Sequence, residues 1–262
     1  MTALPPSDLV STGITPEGYA VVTLNRPERR NALNLQIKNL ITEAVIRLEA
    51  DPAVNVIILT GAGGYFVAGT DIVEMLEMTP SQHNQLQTGR LFEVVNQCTK
   101  PLIAAVEGYA LGGGCELALC CDIIIAGKSA RFGQPEINVG IMPGAGGTQR
   151  LLRTIGKYQT ALLTMTGEAL TAEQAFAKGM VSEVCDDGEA LDLAYFIARK
   201  IAAKPPLAIR SIKEMLKIGQ DAPLQTMLSL ERKAFTLLFD TEDQKEGMNA
   251  FIQKRQPRYV GR

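Results

Sequence analysis

The chain has 262 residues with 26 basic and 28 acidic side chains and a single histidine. A His-based catalytic triad would therefore have to run through His83 alone, and zinc sites that need two or three imidazoles cannot be built. A formal net charge of −2 gives no global attraction to nucleic acid or to an anionic membrane, so phosphate binding must be local.

In chain order, the opening stretch MTALPPSDLV lacks the charged start and apolar core of a signal peptide. No apolar run approaches the ~18 residues of a membrane span. The expectation is a soluble, cytoplasmic protein. Tyr19 to Leu24 (YAVVTL), closed by Pro27, reads as a strand. Leu33, Ile37, Leu40, Ile41, Ala44, Val45 and Leu48 then recur at helical spacing. Further strands are predicted over Val54–Thr60, Pro101–Val106, Ile123–Ala126 and Val181–Val184. Thr171 with Gln174 forms a capping box for a helix over 171–178, and Gly179 stands at its C-terminal end. From Gly188 the strand signal disappears. Leu191, Ala194, Ile197, Ala198 and Ile201 fall at helical spacing, and helical patterns continue past Pro205 and Pro206 to Lys254. Short strands alternating with helices predict an α/β body with largely parallel pairing, followed by an all-helical region. The body is assigned to residues 1–200 and the helical region to 201–262. The five cysteines, odd in number and with Cys120 beside Cys121, read as reduced core thiols rather than disulfides.

The glycine clusters fail the common nucleotide and hydrolase motifs. The one GKS, at Gly127 to Ser129, has Asp122 where a P-loop needs glycine. No G-x-G-x-x-G links a strand to a helix, and the G-x-S frame at Ser129 has Arg131 where a nucleophile elbow needs glycine. What remains is Gly112, Gly113 and Gly114 followed at once by Cys115, Glu116 and LALCC. Backbone N–H groups at such a turn, backed by the helix dipole, suit a developing oxyanion; a plain tight turn fits the local sequence equally well. Glu136 lies where Pro135 and flanking glycines forbid regular helix. It reads either as an exposed loop carboxylate or as a group desolvated by Ile137, Val139, Ile141 and Met142, with a pKa raised toward that of a general acid. Twenty residues separate it from Glu116, enough for a helix, a strand and a turn to bring both to one pocket.

LNRPERRNALN (24–34), AGTDI (68–72), KPLIAAVEGYALGGGCELALCCD (100–122) and FGQPEINVGIMPGAGGTQR (132–150) together resemble the crotonase, or enoyl-CoA hydratase/isomerase, family. TGEALTAEQAFAKGMVSEV and EGMNAFIQKRQP extend the likeness over nearly the whole chain. The resemblance implies a spiral of ββα turns, a helical trimerisation region and a hexamer built from two trimers. It implies an acyl-CoA thioester substrate, coenzyme A being part of that substrate, with no separate cofactor, metal, nucleic acid or membrane. It places the oxyanion hole at the backbone N–H groups of Thr70 and Gly113, where relatives more often carry alanine or another small residue in place of Thr70. Glu116 then activates the water that adds to C3, and Glu136 delivers a proton to C2. Arg29 and Arg30, with Arg26 nearby, fall in the loop that would meet the coenzyme's adenine and phosphates. Ala32, Ala68, Asp71, Ile72 and Gly112 belong to the same implied binding surface. Lys254 and Phe235 align with residues that complete a neighbour's coenzyme site in some relatives.

Local readings stand beside these. His83, among polar residues, reads as a solvent-facing helix position, Cys115, Cys120 and Cys121 as core packing, and Asp71 as the cap of the helix after AGT. The implied activity is hydration of a trans-2-enoyl-CoA. Double-bond isomerisation, thioester hydrolysis and RNA binding are the competing family activities; retention of Glu116 counts against the first two, and the acidic balance against the last. FTLLFDTEDQKEGMNAFIQKRQP and GIMPGAGGTQRLLRTIGK resemble the bacterial phenylacetate-degradation hydratases, which act on a dicarboxylic enoyl-CoA; fatty-acid or amino-acid catabolism fits as well. The acyl end is expected within Glu74 to Gln97.

Overall fold

β-branched runs build two sheets in the computed structural model, which describes residues 9–262; the N-terminal reading for a signal peptide lies, up to residue 8, outside the described residues. The strands are β1 (Val10–Ile14), β2 (Tyr19–Leu24), β3 (Val56–Gly61), β4 (Leu102–Val106), β5 (Tyr109–Leu111), β6 (Ile123–Gly127), β7 (Arg131–Gly133), β8 (Ala169–Thr171) and β9 (Glu183–Cys185). The larger sheet runs β1-β2-β3-β4-β6-β9, antiparallel only at β1–β2. The smaller runs β5-β7-β8, with β5 and β7 parallel. The helices are α1 (Leu35–Ala50), α2 (Ile72–Met75), α3 (Pro80–Gln85), α4 (Arg90–Gln97), α5 (Gly113–Leu119), α6 (Gly147–Thr166), α7 (Ala172–Ala177), α8 (Ala190–Ala202), α9 (Pro206–Gly219), α10 (Leu224–Leu237) and α11 (Glu242–Ile252).

The large sheet is buried on both faces, and its side chains divide with the strand period of two. Val56 and Ile58 of β3 and Ile103 and Ala105 of β4 pack on one side, against Ala190, Ala194 and Ala198 of α8. Ile57, Leu59, Leu102 and Ala104 point to the other side, where Ile37, Ile41, Val45 and Leu48 of α1 complete the main core. Three alanines at helical spacing let α8 lie close on the sheet. The boundary expected at 200/201 falls inside this helix, whose last residue is Ala202.

The predicted strands are all present, with β9 starting two residues and ending one residue later than expected. The strands missed are β1, whose residues after Val10 are exposed, and the three-residue β5, β7 and β8, too short to show a period. α6 carried no helical expectation because Gly156, at φ 77°, breaks its regular geometry midway. The capping box at Thr171 forms as read, opening α7. All five cysteines are free; Cys98, Cys115 and Cys120 are buried. No helix among the described residues is long and apolar enough to cross a membrane.

Candidate active site

The site begins at the turn after β2. Arg30 and Asn31 adopt left-handed conformations, at φ 50° and 57°. The buried Asn31 side chain accepts from the Arg26 N–H (2.8 Å) and donates to the carbonyls of Ala62 (3.0 Å) and Tyr65 (2.6 Å). It thereby ties the first motif to the turn after β3. From there Leu33 pairs with the AGTDI segment: its N–H donates to Gly69 O (2.8 Å) and its carbonyl accepts from Asp71 N–H (3.0 Å). These bonds flank Thr70, whose own N–H finds no acceptor among the described residues, and neither does that of Gly113.

Gly113 is the first residue of α5, so its N–H lies at the positive end of the helix dipole. It sits directly beside Thr70, since a Cβ added to it would lie 2.7 Å from Thr70 Oγ1. Gly112, at φ 50° and ψ −125°, takes a backbone conformation open to glycine, and a Cβ there would be 3.1 Å from Glu136 Oε1. A Cβ on Gly114 would collide with the Val67 carbonyl and side chain. The three glycines thus serve one close approach, which draws the AGTDI loop, the start of α5 and Glu136 together.

Glu116, one turn into α5, is 3% exposed. Its Oε1 accepts from the Ala145 N–H at 2.7 Å and the Gly147 N–H at 2.8 Å, at the start of α6. Burial pushes its pKa up against those donors, with Lys38 and Arg150 also opposing the rise. Glu136 is half-buried in the short 3-10 turn Pro135–Val139. Its pKa is raised to about 7, first by desolvation and further by the charge of Glu116. The buried Gln134 amide, turned with its nitrogen toward the carboxylate, donates to Oε1 at 3.0 Å and Oε2 at 3.2 Å.

Both glutamates line one cavity of about 730 Å³, together with Ala68, Thr70, Ile72, Gly112 and Gly113. Arg29, Arg30, Ala32, Asp71, Phe235 and Lys254 do not line it. Asp71 caps α2, accepting from the Val73 N–H, and pairs with Arg26 at 2.8 Å, which holds its carboxyl below the usual range. The Arg30 guanidinium lies 5.8 and 5.4 Å from the ring centres of Tyr65 and Tyr109. Phe235 and Lys254 belong to the C-terminal helical region, where Phe235 meets Phe239 edge to face.

One expectation is corrected. His83 is half-buried rather than solvent-facing: α3 folds over the cavity, which His83 lines with its Nδ1 3.0 Å from Thr88 Oγ1. Glu136 is desolvated as expected; of the apolar residues that follow it, Val139, Ile141 and Met142 line the cavity from exposed positions and Ile137 does not line it. Sequence reasoning missed Lys38, a cavity residue within the buried stripe of α1, although helical spacing places 38 with 41, 42 and 45 on the inward face. It also missed Asn138, and it placed Glu74, Met75, Met78, Thr88 and Phe92 only within a broad stretch.

Residues 15–262 match the family described as enoyl-CoA hydratase/isomerase. The chain is similar to the 2,3-dehydroadipyl-CoA hydratase of Escherichia coli K12, 46% identical over 92% of this chain and 95% of that protein. It is 42% identical to the crotonyl-CoA hydratase of Syntrophomonas wolfei over 94% of this chain and 96% of that one. An enoyl-CoA hydratase subunit from Geobacillus kaustophilus superposes with a TM-score of 0.93 at 41% identity, covering 98% of this chain and all of that one (100%).

Proposed function

Because the chain belongs to the enoyl-CoA hydratase/isomerase family, we propose that the cavity described above adds water reversibly across the C2=C3 bond of a trans-2-enoyl-CoA. The observation that supports this reading best is that Glu116 and Glu136 share one cavity with two main-chain N–H groups that find no acceptor among the described residues. The thioester oxygen lies between the N–H groups of Thr70 and Gly113. Glu116, ionised, takes a proton from water as its oxygen bonds to C3. The electron pair of the double bond moves to the thioester as an enolate, and Glu136, protonated, returns a proton at C2. Dehydration runs the same steps backward, with Glu136 as base. Both donors are fixed in the backbone before substrate arrives, and each contributes about 3 to 4 kcal/mol of transition-state stabilisation. The step is acid–base chemistry with no net change of redox state, so coenzyme A enters only as part of the substrate.

Arg29 and Arg30 meet the coenzyme's phosphates, and Phe235 and Lys254 reach it from a neighbouring subunit of a trimer, paired into a hexamer through residues 201–262. The enzyme works in the cytoplasm. The likeness to a 2,3-dehydroadipyl-CoA hydratase supports a dicarboxylic substrate, and the likeness to a crotonyl-CoA hydratase a short neutral one. The test is to follow loss of enoyl-thioester absorbance with crotonyl-CoA and identify the product by NMR. A 3-hydroxyacyl-CoA is expected; a shifted double bond without water addition would select the isomerase reading instead.

A further inference from the structure

We propose that Lys38 makes the acyl end of this cavity selective for an enoyl-CoA whose acyl chain ends in a carboxylate. The proposal rests on the hydratase reading and names its substrate class. Lys38 lines the cavity and is 8% exposed. Its ammonium has three N–H donors, yet among the described residues it finds one acceptor, the Thr88 carbonyl, at a long 3.4 Å. No carboxylate of the described residues stands within ion-pair distance of Nζ. Lys100 shows what an internally satisfied buried lysine looks like here: it is 1% exposed and donates to the carbonyls of Leu48 (2.9 Å) and Asp51 (2.5 Å) at the end of α1. Lys38 retains donors for a group that enters the cavity.

The path from the reacting centre to Lys38 can be followed through contacts. A Cβ on Gly113 would lie 3.7 Å from Phe92 Cζ, so Phe92 adjoins the oxyanion site at Gly113. The Lys38 ammonium is 5.8 Å from the centre of the same ring. Thr88 then links Lys38 to His83, which adds a second polar group on this wall. Two carboxylates act on Lys38 from beyond ion-pair distance: Glu74, which accepts from the Leu35 N–H at 2.8 Å at the start of α1, and Glu116, which is held by the Ala145 and Gly147 N–H groups. A wholly apolar chain in this space would leave the spare N–H donors of a desolvated ammonium without acceptors and with no carboxylate in contact. A terminal carboxylate supplies that charge and accepts the spare donors.

The test compares chains of equal length with and without the carboxylate. Wild-type enzyme is expected to show kcat/KM at least about tenfold higher for hex-2-enedioyl-CoA than for hex-2-enoyl-CoA, the order of one charge-assisted hydrogen bond. Lys38→Met, which keeps the length and apolar stem, should lower that ratio about tenfold or more, chiefly through KM of the carboxylated substrate. Equal loss on both substrates would overturn the proposal and assign Lys38 to Glu116 instead. The unreactive saturated pair, adipyl-CoA and hexanoyl-CoA, reads the preference in wild type without chemistry. Tighter adipyl-CoA binding with no hydration of any enoyl-CoA would sink the hydratase reading and keep the carboxylate site; equal binding would overturn the site alone.

Discussion

Glu116 and Glu136 carry the same carboxyl group in unlike surroundings, and that difference divides the labour. Two backbone N–H groups hold Glu116 in an orientation suited to a base, while Glu136 sits beside one neutral amide with its pKa raised to about 7. Hydration needs Glu136 protonated, so kcat/KM for hydration should fall as pH rises through about 7, whereas dehydration, which needs the base form, should rise through the same point. Profiles measured in both directions check this; a hydration profile flat from about pH 6 to 9 would remove Glu136 as the acid. The same shift has a consequence for stability. The native state holds this proton more tightly than the unfolded chain, whose carboxyl titrates near 4.5. The contribution is therefore full below about 4.5 and is lost as pH rises through about 7.

At the scale of elements, the C-terminal helices depart from the rest of the chain. α9 buries none of its residues and α10 only Met227, while Leu216, Leu224, Leu237, Phe251 and Ile252 are each about 70% or more exposed. So large an apolar surface marks an interface, which supports assembly through residues 201–262. Sedimentation should give the mass of three or six chains, and a monomer at micromolar concentration would contradict the assembly and the shared coenzyme site together. α1 and α8 were readable from spacing because one face meets the core, and β3 and β4 as unbroken apolar runs because both of their faces are buried. The short β5, β7 and β8 and a helix interrupted by Gly156 were not, since what forms them is pairing and packing with distant segments.

Across the whole molecule, the cavity gathers α1, the AGTDI loop, α3, α4, the start of α5, the 3-10 turn at Glu136 and the approach to α6. Glu116, Glu136 and the triple glycine stand out in the sequence because each breaks a local pattern. That they meet could be expected only from the family resemblance. Lys38 was overlooked and His83 placed on the wrong side of its helix for opposite reasons: one is a charge hidden in a core stripe, the other a polar residue in a polar run that the fold turns inward. The central claim is that two carboxyls and two backbone donors perform the hydration together. Its most direct measurement is the crotonyl-CoA hydration rate of wild type, Glu116→Gln and Glu136→Gln, each checked for native circular dichroism. The account predicts that both variants fold and lose about 10² to 10⁴ in kcat, the usual contribution of a positioned acid or base. Undiminished hydration by either folded variant would contradict it.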